Sequence, residues 1–195
     1  MAASRAYLLF YNILSALLWL RILLTVITSH WDSQIYTTFE TWTRWTQTLA
    51  VLEVLHAATG LTRSPIFTTF TQIFARSVQV WAINYGFPEA TESSAAYPTM
   101  LFAWSTADVV RYLYFSVLLA GDQVPRALKW LRYSLFLVLY PIGIGSEWWL
   151  MYRATTVTTN ILIGGVFYSF LGLYAPGSVM MYSYMVRQRR KTLSK

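Results

Sequence analysis

Apolar residues come in long blocks along this chain, with few polar interruptions. Six stretches, near residues 7–28, 42–61, 66–86, 99–120, 130–152 and 161–185, are mostly apolar and separated by short polar connections. A helix needs about 20 apolar residues to cross a bilayer core of roughly 30 Å. The pattern therefore predicts an all-α protein, one six-span membrane domain over residues 1–195. The first stretch is too long for a secretory leader and lacks a small-residue cleavage site, so it is expected to stay in place as a span. The longest predicted connection is the Asp-, Thr- and Glu-containing segment that follows it.

Basic residues give the orientation. Six spans put both termini on one side, together with the connections near Arg63 and Arg126. That side carries Arg5, Arg63, Arg126, Lys129, Arg132, Arg187, Arg189, Arg190, Lys191 and Lys195. The other side carries only Arg44 and Arg153, with Glu89 and Glu92 in its second connection. The positive-inside rule then places both termini in the cytoplasm. Trp42, Trp45, Trp148 and Trp149 are expected in the far aromatic belt and Trp130 in the near one.

Composition narrows the chemistry. Charged residues are 12% of the chain, where soluble domains carry about a quarter. The net charge of +7 is explained by topology and lipid contact, so nucleic acid is not an expected partner. There is no cysteine, which excludes disulfides, thiolate metal sites and thiol nucleophiles. Only two histidines, His30 and His56, are present. Glu53 and His56 form a Glu-x-x-His pair, but a di-iron bundle needs a second such pair and further carboxylates, which the chain lacks. No metal is expected, and Glu53–His56 reads as a hydrogen-bonded pair inside the bundle. No dinucleotide fingerprint, nucleophile elbow or phosphate loop occurs.

Charges inside the spans are costly, so each needs a reason. They are Arg21, Glu53, Arg76, Asp108, Arg111 and Glu147, three acids and three bases that can neutralise one another. Asp108 and Arg111 are one turn apart and able to pair. Arg21 is expected to meet an acid on another helix.

Tyr140 and Glu147 stand seven residues apart, just under two turns, on one face of the fifth stretch. Pro141, Gly143 and Gly145 lie between them and allow the helix to bend or tighten there. Counting inward from Arg132, Tyr140 lies roughly 12 Å deep and Glu147 roughly 22 Å. A tyrosine and a buried glutamate in this relation suit acid–base chemistry.

These residues also carry a resemblance. The blocks YLLFYNILSALLW at 7–19, LEVLHAATGLTRSPIFTTFTQIFAR at 52–76, AWSTADVVRY at 103–112 and WLRYSLFLVLYPIGIGSE at 130–147, with the basic MYSYMVRQRRK near the end, resemble the membrane 3-hydroxyacyl-CoA dehydratases of very-long-chain fatty acid elongation. That family once carried a phosphatase-like label, which a chain without cysteine cannot fulfil by a thiolate route. Asp108 stands where glutamate is expected, and Ala75 where serine precedes the arginine. The resemblance implies six spans in the endoplasmic reticulum and a very-long-chain 3-hydroxyacyl-CoA substrate. It implies no cofactor, and neighbours that include the condensing enzyme and reductases of the elongation cycle. It also implies that Tyr140 and Glu147 are the catalytic pair.

Dehydration removes a proton beside the thioester and expels hydroxide from the next carbon, so it needs a base and an acid. A partly desolvated Glu147 suits the base and Tyr140 the acid; the reverse is chemically possible. Arg76, Gln72 and Arg111 are candidates to stabilise the enolate, or else to hold Glu53, Asp108 or Glu147 in place. Gly143 gives room for the acyl chain or the bend. Arg63, Arg126, Lys129 and Arg132 are placed to meet CoA phosphates. A non-catalytic scaffold of an elongation complex is the competing expectation. A small transporter is a weaker one, since transporters pair two broken helices and only the fifth stretch reads as interrupted.

Overall fold

The computed structural model describes residues 2–29 and 34–194. His30 and Lys195, and with them part of the predicted first connection, lie outside the described residues. The regular secondary structure of the described residues is all helical. Helix α1 is Ala2–Thr28, and α2 (Gln34–Leu49) leads through a tightened turn at Ala50 into α3 (Val51–Ala58). Helix α4 (Ile66–Val78) runs on as a π-helical segment, Gln79–Tyr85. The short α5 (Pro88–Thr91) precedes α6 (Ala96–Ala120). Helices α7 (Arg126–Ser134) and α8 (Phe136–Val157) join at Leu135 into one rod, and α9 (Ile161–Leu193) closes the chain.

These helices occupy the six apolar intervals, but three local expectations change. The segment 34–41 is the start of α2 and not connection. Ile35, Tyr36, Phe39, Thr43, Thr46 and Gln47 are buried at helical spacing, so α2 is an amphipathic helix whose Thr-rich outer face hides it from a hydropathy reading. The helix through Pro141, Gly143 and Gly145 is continuous, and the tightened turn falls earlier, where Val138 N–H reaches the Leu135 carbonyl at 3.1 Å. Helix α9 also contains a proline, Pro176, flanked by Gly172 and Gly177, so α8 is not alone in its interruption.

Among the described residues, three helical stretches, Ala3–Thr28, Arg126–Val157 and Ile161–Leu193, are long and apolar enough to cross a membrane by length and composition. Helix α6 has 25 residues but carries Asp108 and Arg111. The outer surface is apolar, with Phe67 75% and Ile161 89% exposed. An exposed apolar surface of this extent belongs in lipid, not water.

Helix α1 lies along α6, α6 packs on α8, and α8 on α9. Trp19, Ile22 and Val26 of α1 meet Tyr97, Met100 and Leu101 of α6 and Leu150, Met151 and Ala154 of α8 in the core. Helix α4 has no buried residue and approaches α6 and α9 mainly through long side chains. Asn160 starts α9 by accepting from the N–H groups of Leu162 and Ile163 at 3.0 and 3.3 Å.

One end of the bundle is tied together by basic side chains. Arg5 Nε donates to the Leu119 carbonyl at 2.6 Å, and Arg189 Nε to Ser134 Oγ at 3.1 Å. Tyr7 bonds His56 at 2.8 Å nearby. The start of α1 and the ends of α3, α6, α7 and α9 therefore share one end of the bundle, the near end. Gly121 stops α6 with φ +91°, and a Cβ there would lie 2.6 Å from Arg5 Nη2.

Gly121→Ala combines left-handed strain of about 1–2 kcal/mol with displacement of Arg5. It is expected to lower the melting temperature in detergent by several degrees, and less so in an Arg5→Ala background. An equal loss in both backgrounds would show that the Arg5 contact contributes nothing.

Candidate active site

The interior charges form one chain of contacts with a single carboxylate set apart. Arg111 on α6 places Nη1 at 2.7 Å and Nη2 at 3.1 Å from the two oxygens of Glu53, and its Nε at 3.1 Å from Asp108 Oδ1. Arg76 on α4 reaches across to Asp108 Oδ2 at 2.7 Å. Tyr11 and Tyr112 also donate to Glu53. Two arginines thus neutralise two acids, and the shorter Asp108 still meets both bases.

Glu147 is outside this neutralisation. Among the described residues it makes no ion pair, although it is 5% exposed. Both its oxygens are held by neutral donors: Trp104 Nε1–H to Oε1 and Tyr174 O–H to Oε2, each at 2.7 Å. Trp104 also links it to the ionic chain, since the Arg76 guanidinium lies 4.0 Å from its ring centroid. Gly143, one turn before Glu147, packs on the same spot: a Cβ there would lie 3.7 Å from Trp104 and 3.8 Å from Glu147 Oε1.

Tyr140 lies along the same seam. Its hydroxyl is 3.5 Å from the Ser178 carbonyl, the outer limit of a hydrogen bond, and its ring is 6.0 Å from that of Tyr182. Tyr174 and Ser178 are one turn apart on α9, so Glu147 and Tyr140 face consecutive turns of the same helix. Gln72, one turn before Arg76, is exposed and donates to Met181 Sδ at 3.2 Å. Helices α4, α6, α8 and α9 therefore converge on one locus, with Gln72 and Tyr140 at its near-end level and Arg76, Trp104 and Glu147 one level deeper.

Arg76 keeps two buried donors, Nε and Nη2, without hydrogen-bond partners, whereas each nitrogen of Arg111 is engaged. Arg132 does not reach the locus. It lies over Phe115 and Tyr133, with its Nε buried and unpartnered.

This chain resembles proteins with a known activity. The family described as "Protein tyrosine phosphatase-like protein, PTPLA" matches residues 47–195. The chain belongs to this family. A probable very-long-chain (3R)-3-hydroxyacyl-CoA dehydratase of Schizosaccharomyces pombe is 38% identical, with 95% of this chain and 91% of that protein covered. PASTICCINO 2 of Arabidopsis thaliana, also named a very-long-chain (3R)-3-hydroxyacyl-CoA dehydratase, is 36% identical over 98% of this chain and 94% of its own. The human very-long-chain (3R)-3-hydroxyacyl-CoA dehydratase 2 is 29% identical over 98% and 82%. No solved structure matches.

Within this PTPLA-family chain, two expected pairings are replaced. His56 bonds Tyr7, not Glu53, because both side chains pack around Tyr11 and each finds a nearer phenol. Among the described residues Arg21 meets no acid; it points outward and its guanidinium stacks 3.6 Å from the Trp42 ring centroid. Trp104 and Tyr174, the two residues that touch Glu147, escaped the sequence reading. The signals were present: Trp104 lies in the block that contains Asp108 and Arg111, and Tyr174 sits in LGLYAPG, the second Gly/Pro-interrupted stretch.

Asp108→Ala would leave Arg76 and part of Arg111 uncompensated, at a cost of about 3–5 kcal/mol. A thermal-stability assay in detergent is expected to show a large fall for Asp108→Ala and recovery of most of it in Arg76→Met/Asp108→Leu. Equal stability of Asp108→Ala and wild type would contradict the ion-pair account.

Proposed function

We propose that this chain dehydrates very-long-chain (3R)-3-hydroxyacyl-CoA to trans-2-enoyl-CoA, with Tyr140 and Glu147 as its acid–base pair. One observation carries the assignment: Glu147 is a buried carboxylate that makes no ion pair among the described residues, oriented by Trp104 and Tyr174, and facing the same side of α9 as Tyr140. A carboxylate used only to hold helices together would be expected to pair, as Glu53 and Asp108 do. The names of the relatives support the same reaction.

In the proposed chemistry Glu147 takes the proton from the carbon beside the thioester. The electron pair moves onto the thioester oxygen as an enolate, and the two free donors of Arg76 meet that charge. Collapse of the enolate forms the double bond and breaks the carbon–oxygen bond. Tyr140, held only loosely by the Ser178 carbonyl, gives its proton to the departing hydroxyl, and water leaves. The proton on Glu147 then returns the tyrosinate to phenol, directly or through water. The reaction is redox-neutral and calls for no cofactor.

The same reading places six spans in the endoplasmic reticulum membrane, with the near end and both termini in the cytoplasm. Arg63 and Arg126, exposed, and Lys129 and Arg132, partly buried, then lie where a CoA headgroup stays in water. The product suits a following reductase, and the substrate needs a condensing enzyme and a ketoreductase before it.

Detergent-purified wild-type protein is expected to dehydrate a long-chain 3-hydroxyacyl-CoA. Tyr140→Phe and Glu147→Gln, folded by size-exclusion profile, are each expected to be slower by about 10²-fold or more. An inert wild type, or variants within a few-fold of it, would turn the assignment toward a non-catalytic scaffold.

A further inference from the structure

A lipid-facing groove of about 200 Å³ lies between α8 and α9, lined by Ile144, Gly145, Trp148, Tyr174, Ala175 and Ser178. Resting on the dehydratase reading above, we infer that this groove receives the acyl tail of the substrate as it leaves the reacting carbons. Substrate would then sit laterally, with its headgroup at the near end and its tail passing between the two helices.

Continuity with the candidate site carries the inference. Two of the six lining residues are the ones that meet the reacting groups: Tyr174 donates to Glu147, and the Ser178 carbonyl receives Tyr140. The groove therefore starts where a substrate bound between Tyr140 and Glu147 must place its next carbons. Other directions are unsuitable for an alkyl chain. Toward α4 and α6 the locus is walled by Arg76, Asp108, Arg111 and Glu53, and the near end is basic. Between α8 and α9 the wall is almost wholly apolar and opens on the surface where Trp148 is 39% exposed.

Gly145 keeps the groove open. A Cβ at this position meets nothing within 4 Å, so a larger side chain grows into the groove and not into a neighbour. Tyr174 has two roles here, as a groove wall and as the donor that orients Glu147. An alkyl chain packed on its ring would hold the carboxylate in place, which makes Tyr174 a positioning residue.

The test is the ratio of kcat/KM for a 3-hydroxyacyl-CoA of twenty or more carbons to that for one of about eight. Gly145→Leu removes room for one or two methylenes or more and is expected to lower this ratio by about tenfold or more. Gly172→Leu, which adds the same bulk on an open face of α9 outside the groove, is the control and is expected to leave it unchanged. A mid-chain diazirine analogue of the long substrate is expected to label peptides holding Trp148 or Ala175. A ratio unmoved by Gly145→Leu, or labelling confined to α1 and α6, overturns the groove while wild-type turnover leaves the dehydratase reading standing. A wild type that dehydrates neither substrate removes both.

Discussion

A buried carboxylate that makes no ion pair among the described residues is the constraint that the rest of this structure accommodates. Moving an ionised side chain into the bilayer centre costs about 2.5–3.5 kcal/mol even on the gentlest scales, and an arginine partner is the usual compensation. Here the arginines nearest the centre are already committed, Arg111 to Glu53 and Asp108, and Arg76 to Asp108. Glu147 is left with an indole N–H and a phenol O–H. These donors fix the direction of both oxygens without neutralising the charge, a condition that suits a group meant to take and return a proton.

The helix packing follows from supplying those partners. Helix α6 presents Trp104 to Glu147 and, one and two turns later, Asp108 and Arg111 to α4 and α3, so it serves both halves of the polar interior. Helix α4 stands away from the core and reaches it through Arg76, a long side chain with donors to spare. Helix α9 is largely lipid-exposed, yet it contributes Tyr174 and the Ser178 carbonyl at the seam with α8. Within the π-helical continuation of α4, Gln79 and Asn84 bond at 3.1 Å across five residues, the spacing that a π turn brings together.

Much of this was legible in the sequence. Apolar blocks of span length located the long helices, and the isolated charges within them named the residues that now form the ionic chain. The Asp108–Arg111 pairing could be read from spacing alone. What spacing could not give was partner choice between helices. Arg21 was expected to find an acid and instead lies on an aromatic ring, because its position on α1 faces outward. Trp104 and Tyr174 were hidden because aromatic residues abound in apolar stretches and only tertiary contact distinguishes these two. The start of α2 was hidden for the opposite reason: its Thr-rich outer face is too polar for a hydropathy reading, although its buried positions keep a clear helical period.

The division of labour between Glu147 and Tyr140 is the central chemical claim, and solvent exchange at the carbon beside the thioester tests it most directly. Each variant would be incubated in D2O with 3-hydroxyacyl-CoA, and deuterium at that carbon read by mass spectrometry. If Glu147 is the base, Tyr140→Phe still exchanges this hydrogen while failing to expel hydroxide, and Glu147→Gln does neither. Exchange that survives in Glu147→Gln and disappears in Tyr140→Phe would contradict the account and reverse the two roles.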